Sequence, residues 1–200
     1  NMYFGRNLDW SFSYGETILV TPRAYKYDYV FGAEAKAEPN AVIGVGVVMA
    51  DKPMYFDCAN ENGLAIAGLN FPGYASFAHE PIDGTINVAT FEFPLWVARN
   101  FNTVDEVEEA LKNVTLVSQI VPGQQESLLH WFIGDGTRSI VIEQMADGNN
   151  GGARVSCLCG RTTVISSPTS RPSISIWRTC ATTCAPATRW PNRPPGARPS

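Results

Sequence analysis

Along the first thirty residues, aromatic or aliphatic side chains alternate with polar ones, and Thr17-Ile18-Leu19-Val20-Thr21 runs up to Pro22, as a strand should. Ala41–Met49 is a near-continuous run of β-branched and small residues, which predicts a strand buried on both faces. Met54–Asn60 and Leu64–Asn70 follow as two strands around Glu61-Asn62-Gly63, where Asn-Gly tolerates the positive φ a tight hairpin demands. Thr90–Asn100 reads as an apolar helix interrupted early by Pro94. Thr103-Val104-Asp105-Glu106 is a capping box, because the Thr hydroxyl and the Glu carboxylate can satisfy free amides at a helix start. The helix it opens places Val104, Val107, Ala110 and Leu111 on one face. Leu128–Gly134 and Ser139–Gln144 flank Asp135-Gly136 as a further hairpin. Antiparallel hairpins with helices grouped between them predict an α+β fold.

Composition changes this picture in one place. Two hundred residues suit a single domain with a substantial core. All 19 acidic residues and eight of the 15 basic ones lie in residues 1–148, giving that part a net −11. Residues 149–200 hold seven Arg and no acid, a net +7, with half the Pro and four of the five Cys. No apolar run reaches the length of a membrane span, and no basic-then-apolar leader opens the chain, so the expected partner list has no membrane. A lone Cys58 in the first part fits a reducing cytoplasm better than a disulfide framework.

Candidate chemistry concentrates in Tyr3-Phe4-Gly5-Arg6-Asn7-Leu8-Asp9-Trp10, which packs Arg6 and Asp9 into an aromatic and apolar run. Taken alone, this reads first as an edge strand with a surface ion pair. Together with Asp57-Cys58-Ala59-Asn60-Glu61-Asn62-Gly63-Leu64 and Ala67-Gly68-Leu69-Asn70-Phe71-Pro72-Gly73-Tyr74, it resembles the choloylglycine hydrolases (bile salt hydrolases). These are N-terminal-nucleophile amidases closely related to penicillin V acylases. The resemblance runs from Tyr3 to about Gly148.

The resemblance implies a four-layer αββα sandwich, incomplete in this chain. It also implies hydrolysis of the amide in glycine- or taurine-conjugated bile salts, without cofactor or metal, in a cytoplasmic enzyme assembled as a homotetramer. Penicillin V acylase is the alternative activity; a non-catalytic fragment or basic-tailed binding module is a third. In this chemistry the thiol of the first mature residue attacks, and its α-amine, titrating near neutrality, handles the proton. By resemblance Arg6 favours the thiolate, Asp9 holds the α-amine, and Asn70 donates to the oxyanion. The cysteine is expected about a dozen residues before Tyr3, so the chain as written is expected to be inactive. Cys58, inside a predicted strand, is read as a small buried apolar residue. Leu8, Trp10, Phe12 and Tyr14 are spaced two apart and are expected on one strand face, as core or as one wall of a pocket for a flat apolar acyl group. His79 and His130 have no partners at ligand spacing, which argues against a metal site.

Residues 149–200 are expected to be a tail with no selected fold, and disordered. Cys157, Cys159, Cys180 and Cys184 lack the C-x-x-C spacing of zinc modules. The positive charge would suit nucleic acid, yet no recognition motif accompanies it, so no nucleic-acid partner is expected. A shifted reading frame accounts for more. Allowed codons for Ser166–Pro172, read from the third base of the first, give L-T-N-Q-P-S, which resembles the family stretch carrying a second oxyanion asparagine.

Overall fold

The computed structural model describes residues 3–7, 13–121 and 126–145, and the backbone of 153–158. Within these residues the chain forms nine strands and two α-helices in the order β1 (Thr17–Thr21), β2 (Val42–Met49), β3 (Lys52–Asn60), β4 (Ala65–Asn70), β5 (Ile86–Ala89), α1 (Phe93–Asn100), α2 (Val104–Ala110), β6 (Val114–Val117), β7 (Leu129–Gly134), β8 (Ser139–Gln144) and β9 (Ala153–Leu158). Seven of the strands form one antiparallel sheet ordered β1-β2-β3-β4-β7-β8-β9. β5 and β6 pair in parallel beside it, an arrangement absent from the sequence reading. The fold is α+β, as expected.

Strand alternation gives the sheet two unlike faces. Cross-strand neighbours Gly44, Cys58, Ile66, Ile133 and Ile140 share the face that packs under α1, joined in the core by Trp131, Phe93, Leu95 and Val97. The opposite face carries Ile18, Val45, Asp57, Ala67, Phe132 and Val141 in one row, and Val20 opposite Ile43 in the next. Here the expectation for β2 is corrected. Ile43 is 54% exposed, and beside it on β1 Ile18 and Val20 are 71% and 65% exposed, because no second sheet among the described residues covers them. An apolar run along a strand reports that both faces can be buried, not that the covering layer lies in the same stretch of chain.

Two further expectations change. Pro94 does not interrupt a helix begun at Thr90. It sits in the first turn of α1, where its missing N–H costs nothing, and the helix starts at Phe93. In the tail, Ala153–Leu158 pairs in register with β8, where no regular structure was expected. The open edge of β8 presents unpaired backbone groups that a short run containing Val155 can satisfy. The remaining tail residues lie outside the described ones.

Other local readings hold. In the capping box the Thr103 hydroxyl accepts from the Glu106 N–H at 3.2 Å, while Glu106 reaches back to the Asn102 N–H at 2.7 Å. The β3–β4 hairpin turns at Gly63 with φ +90°. Asn60 gives that turn a second task. Its Oδ1 accepts from the N–H groups of Asn62 and Leu64, and its Nδ2 donates to the Ala98 and Phe101 carbonyls at 2.8 and 2.7 Å, stitching the hairpin to the end of α1.

Candidate active site

The segment 3–7 lies across the open face of the sheet. Phe4 and Arg6 are partly buried while Tyr3, Gly5 and Asn7 face outward, so alternate side chains reach the strands beneath. Phe4 stacks on Phe132 of β7 at 5.6 Å, with the rings 9° from parallel. Arg6 Nε–H donates to Asp57 Oδ2 of β3 at 2.9 Å. Between these anchors, in the same cross-strand row, stands Ala67 of β4. Its small side chain leaves the crossing segment room.

The sequence pattern by itself assigns no role to Asp57. It is the charged member of a row otherwise built of Ile18, Val45, Ala67, Phe132 and Val141. Its side chain is 24% exposed and that of Arg6 14%, so both charges are largely withdrawn from water and their pairing is strengthened accordingly. The signal that could have found it is a carboxylate in the middle of an apolar strand pattern, which calls for a cationic partner.

Asn70 ends β4, opposite Leu129 and three residues beyond Ala67. Alternation assigns its position to the face of Gly68 and Ile66 rather than that of Asp57. Next to it, Phe71 stacks on His130 at 4.7 Å and 3°, and Glu143 Oε1 lies 3.4 Å from His130 Nδ1. His130 thus belongs to the packing around the end of β4, and His79 is exposed on the surface. Tyr14 lies outside any strand and meets Phe56 edge-on at 5.6 Å, which corrects its placement on a strand face. Asp9, Leu8, Trp10 and Phe12 lie outside the described residues.

Cys58 is the buried small residue expected. It is 3% exposed, its thiol donates to the Pro94 carbonyl at 3.6 Å, and burial pushes its pKa well above the ordinary thiol value. A thiol so placed is neither ionised nor reachable by an amide substrate. Among the described residues no group of three or more His, Cys, Asp or Glu could hold a metal ion, and no helix is long and apolar enough to cross a membrane.

Comparison with known proteins supplies the context for this geometry. The bile salt hydrolase/transferase of Bifidobacterium longum subsp. longum is 88% identical over 148 residues, which cover 74% of this chain and 47% of that protein. The conjugated bile acid hydrolase of Lactobacillus gasseri is 49% identical over 144 residues, covering 72% and 45%. A solved structure, a variant of conjugated bile acid hydrolase from Clostridium perfringens, superposes with a TM-score of 0.65 at 37% identity, over 74% of this chain and 44% of that one. Penicillin V acylase from Agrobacterium tumefaciens shares the fold, with a TM-score of 0.53 at 20% identity over 76% and 44%. The chain spans about half the length of the curated relatives it matches. The family model described as linear amide C-N hydrolases, choloylglycine hydrolase family, matches residues 1–150, three quarters of the sequence, and the chain belongs to that family.

Proposed function

We propose that residues 1–148 are the first part of an amidase that hydrolyses glycine- or taurine-conjugated bile salts through an N-terminal cysteine, in the cytoplasm and as a homo-oligomer. The observation that carries this reading is the 88% identity to a bile salt hydrolase/transferase across the whole matched stretch. In the complete enzyme the cysteine thiolate attacks the amide carbonyl and the amine leaves with a proton relayed by the α-amine. Water then cleaves the acyl-thioester. Arg6 lowers the thiol pKa and Asp9 orients the α-amine; Asn70 donates to the oxyanion, approaching the thiol from the end of β4 rather than from the row of Asp57. The apolar, uncovered Ile18, Val20 and Ile43 fit an αββα sandwich whose second sheet stacks on this face.

The same reading takes residues 149–200 as an out-of-frame translation. It is supported by the coincidence of two boundaries: the family match ends at residue 150, and the acidic residues end before residue 149. Sequencing the encoding DNA around Gly148 tests it, with a one-base slip expected; finding no family sequence in either of the other frames overturns it.

The activity is tested in the complete enzyme, with residues 1–148 preceded by the cysteine-bearing start and followed by the family frame. Release of glycine or taurine from glycocholate and taurocholate is the expected result. No release, or faster cleavage of penicillin V, overturns the bile salt reading.

A further inference from the structure

The geometry points to Asp57 as a positioning residue for the reaction, acting through Arg6; this rests on the role proposed above for Arg6. An arginine has five N–H donors in a planar fork, and which of them is held decides where the others point. Here the bond from Nε to Asp57 Oδ2 is at 2.9 Å, so the guanidinium is held at its inner edge, and among the described residues no hydrogen bond engages its two Nη groups. A side-on contact of this kind constrains the rotation of the fork about its stem, which a purely electrostatic neighbour would not do.

Three placements make the contact specific. Asp57 is central in β3, with neighbours Val45 on β2 and Ala67 on β4, so its backbone is held from both sides. The register between β2 and β3 shifts between Val45 and Gly46, beside this residue, and such an irregularity re-aims the side chains around it. Finally, the stack of Phe4 on Phe132 secures the segment 3–7 two residues before Arg6, so the arginine stem arrives over Asp57 with little freedom. A carboxylate in an apolar cross-strand row has no packing reason to be there. Holding Arg6 gives it one.

Two readouts test this. In the complete enzyme, Asp57→Ala is expected to lower kcat by about a hundredfold, the scale of an ångström-level misplacement, with KM changed less than threefold. Asp57→Asn, of the same shape, is expected to lose part of that and to stay folded if the alanine variant does not. Because Asp57 acts through Arg6, adding either Asp57 variant to Arg6→Ala should cost no further activity. Equal and additive losses in the cycle, or a loss of melting temperature without a loss of kcat, would overturn the assignment. The second readout does not depend on bile salt hydrolysis. With 15N-arginine in the full chain, the Arg6 Nε–H should exchange slowly with solvent and become fast in Asp57→Ala. A complete enzyme that ignores bile salts while Arg6 Nε–H remains protected by Asp57 refutes the activity and leaves the positioning intact. An unprotected Nε–H in the unmutated chain refutes the positioning.

Discussion

Gly44 of β2 stands directly across from Cys58 of β3, so near that a Cβ on Gly44 would lie 2.6 Å from the Cys58 Cα. Any larger residue there pushes β2 away from β3, and the next core-facing glycine, Gly46, meets Tyr55 in the same way. Gly44→Ala is therefore expected to destabilise the domain by about 1–3 kcal/mol or more, as overpacking does. Urea unfolding followed by tryptophan fluorescence measures it; a midpoint unchanged from the parent contradicts the close approach.

Cys58 provides a second test. Its buried thiol should react with a disulfide reagent only as fast as the domain opens, and at the free-thiol rate once unfolded. In the complete enzyme Cys58→Ala should retain hydrolysis, because the proposed nucleophile is the N-terminal cysteine and not this buried thiol. Loss of turnover without loss of fold would contradict that.

Glu92 supplies a pH dependence. It is buried at the start of α1, accepts from the Val30 N–H at 3.1 Å and lies 3.6 Å from Lys52 Nζ. Burial raises its pKa above 4.5, and the Val30 N–H and Lys52 oppose the rise without cancelling it. A carboxyl raised on folding favours the fold below about pH 4.5, and that contribution is lost as pH rises through the folded value. Unfolding free energies from pH 4 to 7 should thus fall for the parent relative to Glu92→Gln. The opposite slope would show that Lys52 outweighs burial.

Asp135 behaves in the reverse sense. Burial pushes its pKa up, but bonds from the Thr137 hydroxyl and the N–H groups of Val104, Arg138 and Thr137 overcome this and hold it at about 2. Its contribution is complete above about pH 3.8 and is lost as pH falls through about 2. Asp135→Ala leaves these donors unpaired and should cost about 1–3 kcal/mol at pH 7, with the deficit shrinking in acid.

For the proposed chemistry, Asn70→Ala in the complete enzyme should reduce kcat by roughly a hundredfold or more, the usual cost of one oxyanion donor, with little change in melting temperature. Near-normal turnover would remove Asn70 from that role.

What could be read from sequence follows from the range of the forces involved. The Asn62-Gly63 and Asp135-Gly136 turns and the Thr103 cap were legible because each encodes its geometry in a few adjacent residues. The parallel pairing of Ile86–Ala89 with Val114–Val117 was not, since nothing local marks a partner across an intervening pair of helices. Arg6 stood out through its aromatic surroundings, whereas its partner Asp57 lay 51 residues away in a strand that reads as core. Buried Glu92 and Arg99 were likewise invisible. Arg99 donates to the carbonyls of Pro22, Arg23 and Tyr25, and backbone acceptors leave no mark in the residue pattern. The exposure of Ile43 on β2 differs from expectation for the same reason, because hydrophobicity specifies burial without naming what does the burying.

The seam between β4 and β7 has a consequence for the order of assembly. β1 to β4 form a meander in which most links are short, while Ala65–Asn70 meets Leu129–Gly134 only after residues 71–128 have been made and folded back. Short hairpins close within about 1–10 microseconds, and closing the long excursion carries a larger entropic barrier that slows the docking of β7 and β8. During synthesis at about 5–20 residues per second, the far edge of β4 therefore stays unpaired for several seconds. For that interval the growing polypeptide displays a bare strand edge beside Asn70, and it is there that a nascent chain would be captured by a chaperone or by another copy of itself.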